Sequence, residues 1–167
     1  MGLTTLIGCG FIVGCAVLLY SLLQGAPYVP TKRRDIEKAL ALLNLPKGAV
    51  LVDVGAGDGA VLAMAARAGL KAVGIEINPL VWLMACWRLR NFKNAMVARG
   101  NMWRWHLPPK TDAVFVFTAG PFAKKLTVWL DAERQRLGHP FSVVSYGFAL
   151  PGKQAAKTEG PLLLYHL

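Results

Sequence analysis

Asp53, Gly55, Gly57, Asp58 and Gly59 crowd into VDVGAGDG, behind an apolar run and ahead of AVLAMAARAG. Glycines at such a turn allow backbone conformations and close approaches that a Cβ would block. The helix that follows offers unpaired N–H groups at its first turn. A dinucleotide turn spaces its glycines G-x-G-x-x-G around a pyrophosphate. Here Gly55, Ala56, Gly57, Asp58 and Gly59 read G-x-G-x-G with two carboxylates alongside. That charge disfavours a pyrophosphate and suits a ligand carrying positive charge.

Two further sets complete the pattern. GIEIN places Glu76 and Ile77 at the end of the next apolar run, where an acid accepts hydrogen bonds from ribose hydroxyls. RGNMW adds Asn101 and Met102, an amide and a flexible apolar side chain suited to the edge and face of an adenine. Each has a plainer reading: a glycine turn needs no ligand, Glu76 is a surface charge, Asn101 caps a turn over 102–105. Three such sets at successive strand ends make S-adenosyl-L-methionine the expected cofactor.

The elements that must position them alternate. Short apolar runs at 49–54, 71–75, 95–99, 113–117 and 141–148 read as strands, and 59–68, 79–92 and 121–137 as helices between them. A helix over 32–44, capped by Thr31, sets Ile36, Leu40 and Leu43 on one face. Strand–helix alternation predicts an α/β, Rossmann-like, mostly parallel sheet covered on both faces. The tail leaves no room for a crossover helix, so 162–167 is expected to return antiparallel at the sheet's edge.

Ahead of this domain, LTTLIGCGFIVGCAVLLYSLL carries no charge and is about 20 residues long, enough to cross a hydrocarbon core as a helix. A cleaved signal peptide would carry a basic n-region and a shorter apolar core. The expected organisation is therefore a transmembrane anchor over 1–24, a linker over 25–31 and the domain over 32–167. Lys32, Arg33 and Arg34 follow the apolar run, which places the domain in the cytoplasm. Without an Arg-rich transit peptide, a bacterial inner membrane is the expected location. Gly10 and Gly14 also permit close helix pairing.

Cys9 and Cys15 belong to the apolar run and Cys86 to a helical stretch, with no pair at metal-ligand spacing, so no metal is expected. A net charge of +10 invites nucleic acid, but the basic residues are scattered, and a solvated or lipid-facing surface accounts for them better.

Through PYVPT (27–31), LVDVGAGDG (51–59), AVGIEINP (72–79) and GNMW (100–103), the chain resembles class I methyltransferases. More narrowly, it resembles the small protein-lysine methyltransferases that include the mitochondrial enzymes acting on the adenine nucleotide carrier and the ATP synthase c-subunit. The resemblance implies a seven-stranded sheet with S-adenosyl-L-methionine at Asp53, Gly55, Gly57, Glu76, Asn101 and Met102, and with Tyr28 and Thr31 as contacts from PYVPT. It also implies a lysine of a membrane-associated protein as acceptor. No catalytic base is evident; Tyr28 and Thr118 are candidates, with Trp103, Phe122 and Tyr146 for an acceptor channel. FTAGP (117–121) lacks the acidic or asparaginyl Pro-Pro motif that grips a planar amino group, which disfavours adenine and glutamine as acceptors. His106 is a weak proton-relay candidate beside a solvated loop histidine. A lipid or quinone methyltransferase, and a non-catalytic module binding S-adenosyl-L-methionine or RNA, are the alternatives.

Overall fold

Strand alternation decides the layering. In β1 (Val50–Val54), Leu51 joins one buried cluster while Val52 and Val54 join another on the opposite face. The computed structural model describes residues 2, 5, 7–9, 11–12, 29–117 and 120–167. Beyond β1, the strands are β2 (Lys71–Glu76), β3 (Ala95–Arg99), β4 (Thr111–Phe117), β5 (Ser142–Tyr146), β6 (Lys157–Glu159) and β7 (Leu162–His166). From residue 29 onward the α-helices are α1 (Arg33–Leu43), α2 (Ala60–Arg67), α3 (Pro79–Leu89) and α4 (Ala123–Leu137).

The seven strands lie in the order β3-β2-β1-β4-β5-β7-β6. Strands β1 to β5 pair parallel, β7 runs antiparallel beside β5, and β6 runs antiparallel beside β7. On one face α1 and α2 bring Ile36, Ala39, Leu62 and Ala65 against Leu51, Phe115 and Val144. On the other, Leu126 and Leu130 of α4 meet Val52, Val114, Val143 and Tyr165. The chain leaves β1 for β2 on one side, while β4 flanks β1 on the other. That change of direction opens a crevice at the carboxyl end of β1, the usual ligand position in such sheets.

The Rossmann-like α/β sheet agrees with the expectation in class, strand count and antiparallel return. Three readings need correction. Among the described residues no helix is long and apolar enough to cross a membrane, which overturns the transmembrane anchor over 1–24 and the single-pass placement in a bacterial inner membrane. Much of that stretch, including 13–28, lies outside the described residues. An uncharged run of sufficient length is a necessary condition for spanning a bilayer and not a sufficient one. The cytoplasmic placement drawn from Lys32 to Arg34 loses its premise with it. Thr31 is not the cap of α1: Lys32 holds that position and its side chain makes no capping hydrogen bond. Nor is the last strand the edge, because the polar segment Lys157–Glu159 adds β6 outside it.

Candidate active site

The loop after β1 takes its shape from glycine. Gly55, Gly57 and Gly59 all have positive φ, at 85°, 55° and 78°. At Gly55 no atom lies within 4 Å of where a Cβ would stand, so the backbone there borders open space. The N–H groups of Gly55 and Ala56 both bond the carbonyl of Ile75, at 3.0 and 2.9 Å, tying the loop to the end of β2. Gly59 packs so closely on α3 that a Cβ would lie 3.1 Å from that of Ala85.

Glu76 closes the far side. One carboxylate oxygen accepts from the Gly57 N–H at 2.9 Å and the other from the Asn78 N–H at 2.8 Å. Each oxygen has a second lone pair to offer a hydroxyl donor. Asn78 in turn caps α3, its side chain accepting from the Leu80 and Val81 N–H groups, with Pro79 in the first helical position. The Asn-Pro pair is a helix-start signal legible in GIEIN-P, and the cap holds Glu76 in place. Half-buried Ile77 lies between them.

The two aspartates behave differently from one another. Asp53, at the end of β1, is buried; burial first, and then the negative charges of Glu76 and Asp58, push its carboxyl up to about 8. In the ligand-free chain at neutral pH it is therefore largely uncharged. Asp58 turns to the protein itself. It caps the start of α2 by accepting from the Ala60 N–H at 3.2 Å, and it is paired with the Arg88 guanidinium, whose Nε also donates to the Asp58 carbonyl at 2.8 Å. Of the two carboxylates expected to face a cation, one is neutral and one is already paired. Sequence spacing gave no sign of Arg88, which comes from α3 thirty positions on.

Asn101 and Met102 stand beyond β3, whose end is joined to β2 by the Gly100 N–H bonding the Glu76 carbonyl at 2.9 Å. The Asn101 side chain accepts from the Trp103 N–H at 3.0 Å, capping a short 3-10 turn, Met102–Arg104. Met102 is half-buried on the α4 side of the sheet. Thr31 is half-buried ahead of α1, while Tyr28 and Thr118 lie outside the described residues.

At the ends of β4 and β5 an aromatic pair forms: Phe117 and Tyr146 meet edge to face with ring centroids 4.7 Å apart. The Tyr146 hydroxyl donates to Asp35 of α1 at 2.9 Å. Burial first, and then that hydrogen bond and the charge of Asp35, raise the Tyr146 hydroxyl above its ordinary range. Sequence reasoning missed the partnership of Asp35 with Tyr146, since nothing in the helix period of α1 pairs it with a strand more than a hundred residues away. Trp103 and Phe122 are 6.4 Å apart, and the Trp103 face is covered by the Lys125 ammonium at 4.3 Å. His106 serves structure: its Nδ1 lies 2.7 Å from the buried Glu133, which also accepts from the Leu107 N–H and from Arg136. Among the described residues no group of His, Cys, Asp or Glu could hold a metal.

No family model matches the chain. In sequence it is 38% identical over 81 residues to the lysine N-methyltransferase of the ATP synthase c-subunit from Rattus norvegicus, covering 47% of this chain and 37% of that protein. It is 34% identical over 140 residues to the adenine nucleotide translocase lysine N-methyltransferase of Mus musculus, covering 80% of this chain and 58% of the relative. The chain thus spans less than two thirds of the length of either. Among solved structures, an RNA methyltransferase from Salinibacter ruber in complex with S-adenosyl-L-homocysteine superposes with a TM-score of 0.73 at 24% identity, over 83% of this chain and 92% of that one. A precorrin-6y C5,15-methyltransferase from Geobacter metallireducens superposes with a TM-score of 0.61 at 24% identity, over 75% and 68%. The chain therefore has the class I methyltransferase fold, and its sequence is similar to those of lysine N-methyltransferases of the ATP synthase c-subunit and the adenine nucleotide translocase.

Proposed function

We propose that this protein is an S-adenosyl-L-methionine-dependent N-methyltransferase whose acceptor is a lysine side chain of a protein. The observation that carries the reading is Glu76, held at the end of β2 by the Gly57 and Asn78 N–H groups on the far side of the glycine loop, beside the crevice where the strand order reverses at β1. The residues present fit the cofactor. Gly55 borders open space for its amino-acid end, Glu76 has lone pairs for ribose hydroxyls, and Asn101 and Met102 stand at the next strand end for the adenine. When bound, S-adenosyl-L-methionine supplies a methyl group on a positively charged sulfur.

The chain's own residues would prepare the acceptor. A lysine amine attacks only after losing its proton, because an ammonium has no lone pair. Exclusion of water disfavours the charged form of an amine, and Phe117 and Tyr146 place packed ring carbon at the ends of β4 and β5 where an acceptor side chain would be desolvated. Asp35, which accepts from the Tyr146 hydroxyl, is a carboxylate beside that pair that can accept an incoming ammonium's hydrogen bond and orient the lysine before its proton passes to solvent. Alignment of amine and methyl, with water kept out, supplies most of the remaining effect. The acceptor named for both relatives, a lysine, has the chemistry this arrangement suits.

The test has two stages. Calorimetry should show S-adenosyl-L-methionine binding that Glu76→Ala abolishes; wild-type affinity in that variant removes the assigned site. The wild-type protein is then incubated with methyl-labelled cofactor and separated soluble and membrane fractions of its source cells. Label recovered on lysine after proteolysis supports the proposal. Label in the organic extract assigns a lipid or quinone acceptor instead, and cofactor binding with no transfer leaves a binding module.

A further inference from the structure

Helix α3 is apolar on two sides. Val81, Ala85 and Leu89 are buried toward the sheet and α2. Leu80, Leu83, Met84 and Trp87 recur at i, i+3, i+4 and i+7 and so form a second stripe facing outward. All four are more than half exposed, Trp87 at 69%. An ordinary surface helix keeps its outer stripe polar, and a contiguous run of large apolar side chains marks a face that something covers.

The helix itself carries no acidic residue, and the acid that meets it, Asp58, is paired with Arg88. From Gly59 to Thr111 the sequence holds eight lysines and arginines against a single acid, Glu76, which is buried in the crevice. Arg67, Arg88, Arg90, Lys93 and Arg99 in this stretch are exposed. Arg90 lies across the Trp87 ring, its guanidinium carbon 4.1 Å from the centroid, and donates to the Trp87 carbonyl at 2.6 Å.

We propose that α3 docks this protein on an anionic lipid surface, Leu80, Leu83, Met84 and Trp87 entering the interface and Arg90 and Lys93 meeting the headgroups. Aliphatic and indole side chains on one stripe with cations at its border are the composition of helices that lie in a bilayer interface, and each exposed cation adds attraction to anionic lipid. A second copy on the same face would bring two cationic borders together and is disfavoured by that repulsion. Nucleic acid would meet the cations but leave Leu80, Leu83 and Met84 without apolar cover. Because α3 begins directly after Glu76 and Asn78, a docked helix would bring the cofactor crevice close to the lipid. The contact is peripheral, needs no spanning helix, and does not depend on the acceptor being a lysine.

The test is carbene footprinting of the full chain, alone and with vesicles of phosphatidylcholine or of phosphatidylcholine with phosphatidylglycerol. The readout is labelling at α3 rather than sedimentation, because sedimentation does not report which face of the chain meets the lipid. Labelling of Leu80, Leu83, Met84 and Trp87 should fall several-fold with anionic vesicles, fall less with neutral ones, and recover as salt is raised. A Leu83→Gln, Trp87→Gln variant changes only exposed positions; at an unchanged melting temperature, its Arg90 and Lys93 should lose protection by about tenfold in lipid concentration. Unchanged labelling of α3 while the chain sediments with anionic vesicles overturns the proposal, as does equal protection by neutral vesicles. Protection that arises without lipid and grows with protein concentration assigns the face to a second copy instead.

Discussion

Replacing Asp53 by asparagine should stabilise the ligand-free protein at neutral pH, even though it damages the proposed cofactor site. Asp53 is buried beside Glu76 and Asp58, and its carboxyl is pushed from 3.8 to about 8. An acid raised in the folded state binds a proton there that the unfolded chain has already lost. Its contribution is therefore fully present below pH 4, falls as pH rises, and levels off above about pH 8. Each pH unit in that window costs about 1.4 kcal/mol, so from pH 4 to pH 7 the group costs the fold roughly 4 kcal/mol. Asparagine has nearly the shape of the protonated acid and does not ionise. The two proteins should unfold with similar stability near pH 4 and diverge steadily toward pH 8, the Asp53→Asn variant being the more stable. Urea unfolding at a series of pH values reads the difference directly, and every other titrating group cancels between the two curves. Parallel curves would refute the reasoning, because they would mean that Asp53 titrates alike in both states.

The same group links binding to protons. A ligand bearing an ammonium and a sulfonium favours the ionised form of a neighbouring carboxyl. On the proposed function, S-adenosyl-L-methionine binding at pH 7 should release up to about one proton from wild type and none from the Asp53→Asn variant. Calorimetry in buffers of different ionisation enthalpy measures that number, and an identical heat in every buffer would contradict the linkage.

Three other perturbations test separate parts of the structure. Gly74→Ala puts a Cβ 2.6 Å from Leu62 Cδ1 and 2.8 Å from the Cβ of Ala56; with Leu62 fully buried, urea midpoints should report a loss of about 1–3 kcal/mol. Burial pushes the Glu133 carboxyl up, but hydrogen bonds from Arg136, His106 and the Leu107 N–H outweigh it and hold the group below its ordinary range. Its stabilisation is present above the ordinary carboxylate range and is lost as pH falls through the lowered folded value, so Glu133→Gln should cost about 2–4 kcal/mol at pH 7 and much less in acid. Tyr146→Phe removes the hydroxyl that Asp35 accepts from; methyl transfer should slow by about tenfold at unchanged cofactor affinity, and a loss of cofactor binding instead would place Tyr146 in the cofactor pocket.

The fold was legible where local pattern and tertiary packing agree. The β1 to β5 runs alternate with helical stretches, and the observed strands fall within a few residues of the expected ones, because short apolar runs bounded by turns leave few other ways to bury themselves. The glycine loop was legible for a related reason: three positive φ angles in five residues exclude most other side chains. What local pattern cannot carry was lost. The strand Lys157–Glu159 is polar and exists only because β7 offers an open edge. The helix expected over 79–92 stops at Leu89, and the one expected from 121 begins at Ala123 after a 3-10 turn, since helix ends follow local capping more than period. An uncharged run of about 20 residues reads as a membrane span by length alone, and no helix among the described residues bears that reading out.

The three acids of the crevice show most clearly what spacing leaves open. Asp53, Asp58 and Glu76 look alike in sequence, and all three invite the same ligand charge. Packing separates them. Glu76 sits against two backbone donors that satisfy one lone pair on each oxygen and leave the others for a ligand. Asp58 meets Arg88 and the start of α2, so it holds loop and helix together instead of facing the crevice. Asp53 has burial and two negative neighbours, so it keeps its proton until a cation arrives. A crevice with three ionised acids would repel itself, and the neutral Asp53 and the paired Asp58 are what allow Glu76 to stand there. Substituting Arg88 should therefore act at a distance: it frees the charge of Asp58 and raises the cost of ionising Asp53. An Arg88→Ala variant should bind S-adenosyl-L-methionine with a larger proton release at pH 8 than wild type, where Asp53 is otherwise half ionised. An unchanged release would show that Asp58 has no electrostatic reach to Asp53.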